Sequence, residues 1–557
     1  MLFAGIPVAF AAAAADSPPP PAALGSPVAA VTLIMFLLLA MVLVVLLSRK
    51  LGLPDPVLLV IGGLLISFVP GLPKIELNPE LVFVFFLPPL LYPAALLTSW
   101  RDFSASLRPI LLLAIGLVLF TTVAIAWFAH SCMGLTLGAG FVLGAIISPS
   151  DAVAATAISQ RLRVPRLIVT ILEGESLVND TTSFVLYRFA VAAVVTGTFS
   201  LMDASVKFVL VGVGGVGVGL LAGFIATNIQ RRLDDPSVQI TLSLLTPFAT
   251  YLAAERLGVS GVLAVVVCGL YNGWRSPQVI SPRTRLRALP VWELVVFILN
   301  GLVFILIGLE LPDAVRVLGG RALGPAIGYG ALLLVLVVAV RLLWLFALTY
   351  IPRALSKKIR DKYPAASWRE VLLIGWTGMR GVDSLAVALA LPLTVAGGGL
   401  FPDREMIFFL TFSVIFGTLV LQGLSLAPII RWLNVVDDHG ADKEERTARL
   451  HANRAALKRI CEARHARQVE PDTLQRLKLE YEDRIRQLEA NAAAEAAPGG
   501  LFSDDYVKLT QEALDTERSV ILKLRNERVI SDEVLRRIQW DIDLAETRLQ
   551  HGVADDE

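Results

Sequence analysis

Glu173 to Asp180 reads EGESLVND, a dense run of ionisable and polar side chains, and TTSFVLYRFAVAAVV follows it directly. The run therefore sits inside apolar sequence, not in a surface loop. Wound as a helix, it places Ser176 and Asp180 four residues apart on one face, with Glu175 and Asn179 as a second stripe beside them. A carboxylate at membrane depth is costly, so such a residue marks a functional site. A buried carboxylate needs a positive partner, and a proton and a small cation compete for that role. Asp180 is thus a candidate ion and proton carrier. The plainer reading is a structural aspartate capped by Ser176 and Ser183.

Other polar groups fall at the same depth. Asp180 lies 14 residues past Arg166, roughly 20 Å into its helix at ~1.5 Å per residue. Asp151 is comparably deep in the preceding apolar stretch, and Arg341, Arg380 and Gln422 each fall about 11 residues from a loop. Five polar groups from five stretches sharing one depth is not what scattered structural charges would give. Glu175 and Arg341 are expected to form a charge pair bracing two helices, a role favoured over ion binding for Glu175. Asp151 and Arg380 are expected to neutralise free helix ends, although Arg380 also has a local partner in Asp383. Glu173, Arg188 and Glu310 read as residues snorkelling or gating near helix ends.

The elements that must position these groups are membrane helices. The chain has 557 residues, of which 55% are apolar, above the ~45–50% of a soluble domain. From Pro27 to about Leu433 there are thirteen apolar stretches, 28–47, 55–70, 80–98, 108–130, 136–160, 166–196, 205–228, 237–256, 260–274, 289–311, 324–350, 369–393 and 405–433. Most reach the ~20 residues that span a bilayer; the second and ninth are short. One set of alternate loops carries 18 lysines and arginines and the other 6, so an outside N-terminus and a cytoplasmic C-terminus are expected. The fifth stretch contains Ser148-Pro149-Ser150-Asp151, where proline breaks the helix, and the twelfth contains the weak run Gly375 to Gly381. Broken backbone at membrane depth lines a cavity or is buried in protein. Two such helices seven stretches apart point to inverted repeats around a midplane site. The fold class is an all-α polytopic membrane protein with about 13 transmembrane helices.

Residues 1–27 combine an apolar run with a proline-rich linker and resemble a signal segment without its basic start. Residues 28–435 form the membrane domain. Residues 436–557 change to dense charge, with helical spacing at Leu474, Leu477, Tyr481, Ile485 and Leu488 and again at Leu535, Ile538, Ile542, Ala545 and Leu549. A break at 492–500 and caps at Ser503 and Ser531 predict a small helical cytoplasmic domain for regulation or dimerisation.

Several functions are excluded or weakened. A net charge of +1 offers nothing to nucleic acid, and Cys132, Cys268 and Cys461 lie too far apart for a disulfide framework or a zinc site. No histidine lies near the paired acids, which argues against an embedded hydrolase. Gly212 to Gly217 fits a dinucleotide fingerprint but lies inside a spanning stretch; Gly215, Gly219 and Gly223 recur at the four-residue spacing of helix packing in lipid. Asn179-Asp180-Thr181 fits a glycan acceptor, at a depth no glycan reaches.

EGESLVNDTTSFVLY, SPSDAVAATAI, FFLPPLLYPAALLTSWRDF and GMRGVDSLAVALALP resemble the sodium/proton antiporters of the monovalent cation:proton antiporter-1 family, nearest its bacterial branch. The resemblance covers about residues 28–435. It implies an inner-membrane homodimer with a mobile core domain, exchanging Na+ for H+ by an elevator-like motion and using no cofactor. It makes Asp180 the ion-binding aspartate, Asn179 its neutral neighbour and a mark of electroneutral one-for-one exchange, and Ser176, Ser150 and Asp151 further members of the ion and proton site. Na+ is expected on Asp180, Ser176 and Ser150. Glu175 and Arg341 match the family's charge pair. Tyr92-Pro93 stands where many members carry an acid, Ala152 replaces a common proline, and Asp383 replaces an apolar residue. These departures leave K+ or Li+ open as cargo. A reading of another class makes the membrane part an anchor for a sensing tail.

Overall fold

In a computed structural model, the structure describes residues 27–69, 82–151, 164–197, 201–318, 323–357, 367–395, 398–435, 440–466, 471–494, 504–527 and separate positions from 529 to 546. The signal-like segment, the second half of the fifth apolar stretch, Ala152, and the cap positions Ser503 and Ser531 lie outside them.

The described membrane unit is built of helices in chain order: α1 (Pro27–Leu51), α2 (Asp55–Ile66), α3 (Leu87–Leu97), the short α4 (Trp100–Ala105) and α5 (Leu107–Met133). Then follow α6 (Leu137–Ile147), α7 (Arg166–Thr196), α8 (Leu201–Gln230), α9 (Pro236–Arg256), α10 (Gly261–Val279), α11 (Pro282–Val317) and α12 (Leu323–Leu355). The series closes with α13 (Trp368–Trp376), α14 (Val382–Leu389) and α15 (Arg404–Leu433). Each of the thirteen apolar stretches holds a described helix; in the fifth it ends at Ile147, and in the twelfth α13 and α14 flank the interruption. Among the described residues seven helices are long and apolar enough to cross a membrane, and α2, α3 and α6 are shorter apolar ones. The helix bearing EGESLVND, α7, has the length but not the apolarity, which is the cost noted from its sequence.

Two devices set the packing around the site. Helix α6 starts where Thr136 Oγ1 accepts the Ala139 N–H (3.3 Å) and stops where Pro149 lacks the donor to continue it. It lies directly on α5 and α7 over a buried cluster including Leu143, Ile146 and Tyr187. Helix α8 meets α10 along the glycine stripe: a Cβ at Gly219 would stand 2.5 Å from the Ala264 carbonyl oxygen, so only glycine allows that approach. A second cluster joins α3, α9 and α10 through Tyr92, Tyr251 and Val265.

Residues 438–557 form a separate compact unit. It holds α16 (Gly440–Ala466), α17 (Pro471–Ala494) and α18 (Asp504–Asn526). Helix α17 contains the first predicted apolar stripe and runs three residues into the predicted break at 492–500. Helix α16 was not expected, because its sequence is charged all round. It pairs with α17, with Arg454 2.7 Å from Glu489. Leu514 and Ile521 of α18 cluster with Leu535 and Ile542 of the second stripe.

Candidate ion-binding site

The two interrupted segments meet at their breaks. The Asp151 N–H, just past the end of α6, donates to the Met379 carbonyl at 2.8 Å, between α13 and α14. In return Arg380 Nε donates to the Ile147 carbonyl (2.6 Å), the last residue of α6. Arg380 Nη1 also donates to Gly378 O (2.6 Å), and its N–H donates to Thr418 Oγ1 of α15 (3.1 Å). The unpaired carbonyls at a helix C-terminus carry partial negative charge, and a buried guanidinium answers them. The local pair with Asp383 is therefore not what holds Arg380. Gly381 opens α14, and a Cβ there would stand 2.1 Å from Asp151 Oδ2, so the Asp151 carboxylate rests against the start of that half-helix.

Arg341 plays a matching part on the other broken helix. Its Nε and Nη2 donate to the Ile374 carbonyl near the end of α13 (3.3 and 3.1 Å). Its guanidinium also meets Glu175 of α7 as a fork: Nη1 bonds Oε1, and Nη2 bonds Oε2 at 2.8 Å. Both side chains are 2% exposed, so neither charge has water to fall back on. Gly378 gives Arg341 its room, since a Cβ there would stand 2.4 Å from Arg341 Cδ.

Ser150 and Asn179 belong to this cluster. Ser150 Oγ donates to Glu175 Oε1 (2.7 Å) and accepts from Asn179 Nδ2 (3.1 Å) and Arg341 Nη1 (3.4 Å). Those bonds use a hydroxyl's one donor and both lone pairs. Ser150 was expected to touch the cation; in this conformation its hydroxyl braces the charge pair instead. Asn179 Nδ2 donates also to the Ser150 carbonyl (3.0 Å), while its Oδ1 is buried with no partner. Gln422 of α15 is likewise buried with an unpartnered Oε1.

Asp180 occupies different ground. It is buried, 7% exposed, and lines a cavity with Asp383 of α14, Ser183, Pro149 and the aromatic Phe83 and Phe184. Ser183, considered as a cap for Asp180, instead donates to the Ala145 carbonyl at 2.6 Å. Ser176, one turn earlier on α7, is half-buried and does not line this cavity. At the far end of α7, Arg188 pairs with Glu255 of α9 at 3.0 Å and lies over the Phe184 ring. Asp383 was not expected in the site, although it stands as an acid where the resembled family usually has an apolar residue. Its three-residue spacing from Arg380 suggested a local pair, but the helix is interrupted between them.

Residues 33–432 match the family described as sodium/hydrogen exchanger, transmembrane. The chain belongs to the sodium/hydrogen exchanger family. An uncharacterized Na+/H+ exchanger of Mycobacterium tuberculosis is 36% identical over 508 residues, 90% of this chain and 93% of that one. A sodium, potassium, lithium and rubidium/H+ antiporter of Bacillus pumilus is 39% identical over 386 residues, 67% of this chain and 57% of that protein. The fold resembles the sodium proton antiporter MjNhaP1 from Methanocaldococcus jannaschii, with a TM-score of 0.57 at 19% identity, covering 72% of this chain and 99% of that one. As a member of this exchanger family, the chain is a multi-pass membrane antiporter of monovalent cations and protons, not an enzyme.

Proposed function

We propose that the chain exchanges Na+ for H+ one-for-one, with Asp180 carrying each in turn. The observation that carries this reading is the buried Asp180 carboxylate in a cavity beside two interrupted helices that meet at their breaks. Such breaks at membrane depth free backbone and side-chain oxygens around a midplane site. Ser176, one turn before Asp180 on α7, is the further ligand that the resemblance implies. Asn179, neutral and tied to Ser150, adds no charge to the cycle. Glu175, Arg341, Arg380 and Asp151 hold the broken segments together while the site changes sides. In keeping with the resemblance, the protein works as a homodimer in the inner membrane, with α5–α7 and α12–α15 moving as a body and the C-terminus cytoplasmic.

A second reading, K+ or Li+ in place of Na+, draws support from the several cations in the Bacillus pumilus relative's name. Purified protein in vesicles with an internal pH dye tests both. A Na+ step should drive proton movement, and a K+ diffusion potential imposed beforehand should leave the rate unchanged. A rate that follows the imposed voltage would contradict one-for-one exchange, and a stronger response to K+ than to Na+ would favour the second reading.

A further inference from the structure

Few side-chain oxygens line the Asp180 cavity. Among the described residues its polar side chains are Asp180, Asp383 and Ser183, the others being apolar side chains and Pro149. Ser183 spends its proton on the Ala145 carbonyl. The two serines expected as cation ligands lie elsewhere: Ser150 is saturated by the charge pair, and Ser176 does not line the cavity. A dehydrated monovalent cation on Asp180 alone would have too few oxygens, and Asp383 faces it from the opposite broken helix.

We propose that Asp383 is a second carboxylate ligand for the transported cation, which is held between Asp180 and Asp383. The proposal rests on the antiport reading and adds to it a residue that sets cation preference. Asp180 and Asp383 line one cavity, and with no cation between them the two carboxyl groups would hydrogen-bond to each other. Two carboxylates cannot do that without a proton between them, because each then has only acceptors. The cycle balances around that proton. The pair with one shared proton carries a charge of −1; a cation enters, the proton leaves to water, and two carboxylates with one monovalent cation again carry −1. Exchange stays one-for-one although the site holds two acids.

The surroundings permit this. Among the described residues, the other charged groups acting on the pair are the acids Asp151 and Glu175. The buried Arg341 directs its donors to Glu175, Ser150 and Ile374, and Arg380 to Ile147 and Gly378. The positive charge the pair needs is left for the proton or the cargo. A second carboxylate also bears on selectivity. Attraction between ion and ligand scales inversely with their separation, so each added anionic oxygen widens the preference for small cations over large ones.

The test is proton flux in vesicles against graded Li+, Na+ and K+ for wild type, Asp180→Asn, Asp383→Val and Asp383→Asn. The Asn change is nearly isosteric and keeps an oxygen without the charge. Both Asp383 variants should need more Na+ for half-saturation, on the order of tenfold for Val, and their ratio of Li+ to K+ half-saturation should move toward one. Half-saturation unchanged for all three ions in both variants would overturn the proposal. So would a loss by the same factor for every ion, which is what a packing defect gives. A wild type that exchanges no cation would instead overturn the antiport reading beneath it.

Discussion

Glu175 and Arg341 are two full charges in the apolar interior, and their fork-like contact is what makes them tolerable there. Removing one partner leaves the other buried and uncompensated, which costs about 3–5 kcal/mol. Arg341→Ala also strips the Ile374 carbonyl of its donors, so it should lower the unfolding temperature in detergent markedly, and more than Glu175→Gln does. Equal, small shifts for the two changes would mean the pair contributes little. This contact was legible in the sequence as two opposite charges at similar depth on two apolar stretches, matching the charge pair of the resembled family. The Ser150 hydroxyl was not: its direction is decided by competition among Glu175, Asn179 and Arg341, which no spacing reveals. Asp383 was hidden for another reason, because residues 380 and 383 straddle a break and the helical rule for neighbours does not hold across one.

At the scale of elements, the two interrupted helices answer each other's free ends. The Ile147 carbonyl takes Arg380, and the Ile374 carbonyl takes Arg341. Pro149 announced the first break and the glycines from 375 to 381 the second, but not which carbonyls the arginines would reach. The contact between the two breaks leaves no space at Gly381, where a Cβ would fall 2.1 Å from Asp151 Oδ2. Gly381→Ala should therefore abolish cation-driven proton flux while the protein still reaches the membrane; wild-type flux would show that this contact can yield. In the tail, one apolar stripe predicted α17, while the charged α16 carried no periodic signal to read. There Arg518 hydrogen-bonds Glu546 (2.6 Å), Gln511 adds a second bond (2.9 Å), and together they hold the Glu546 carboxyl below its usual range. A depressed folded value means the contribution is present above about pH 4.3 and is lost as pH falls through the folded value. Amide-exchange protection of α18 in the full chain should stay level above that pH and decline below it. Protection rising on acidification would contradict the assignment.

For the whole molecule, the division near residue 437 follows the change from apolar to charged sequence. The apolar stretches made the helical architecture readable because each helix must satisfy its own backbone in lipid. If the membrane unit carries the transport chemistry, a chain ending at Asp437 should retain exchange, with its rate or pH response altered. Complete loss in a properly inserted truncation would favour the sensing reading of the tail. The central claim is that Asp180 carries the exchanged ions. The most direct measurement is proton movement in sealed vesicles after a Na+ step, for wild type and Asp180→Asn side by side. The account predicts rapid proton movement in the wild type and none above empty vesicles in the variant; exchange persisting in Asp180→Asn would contradict it.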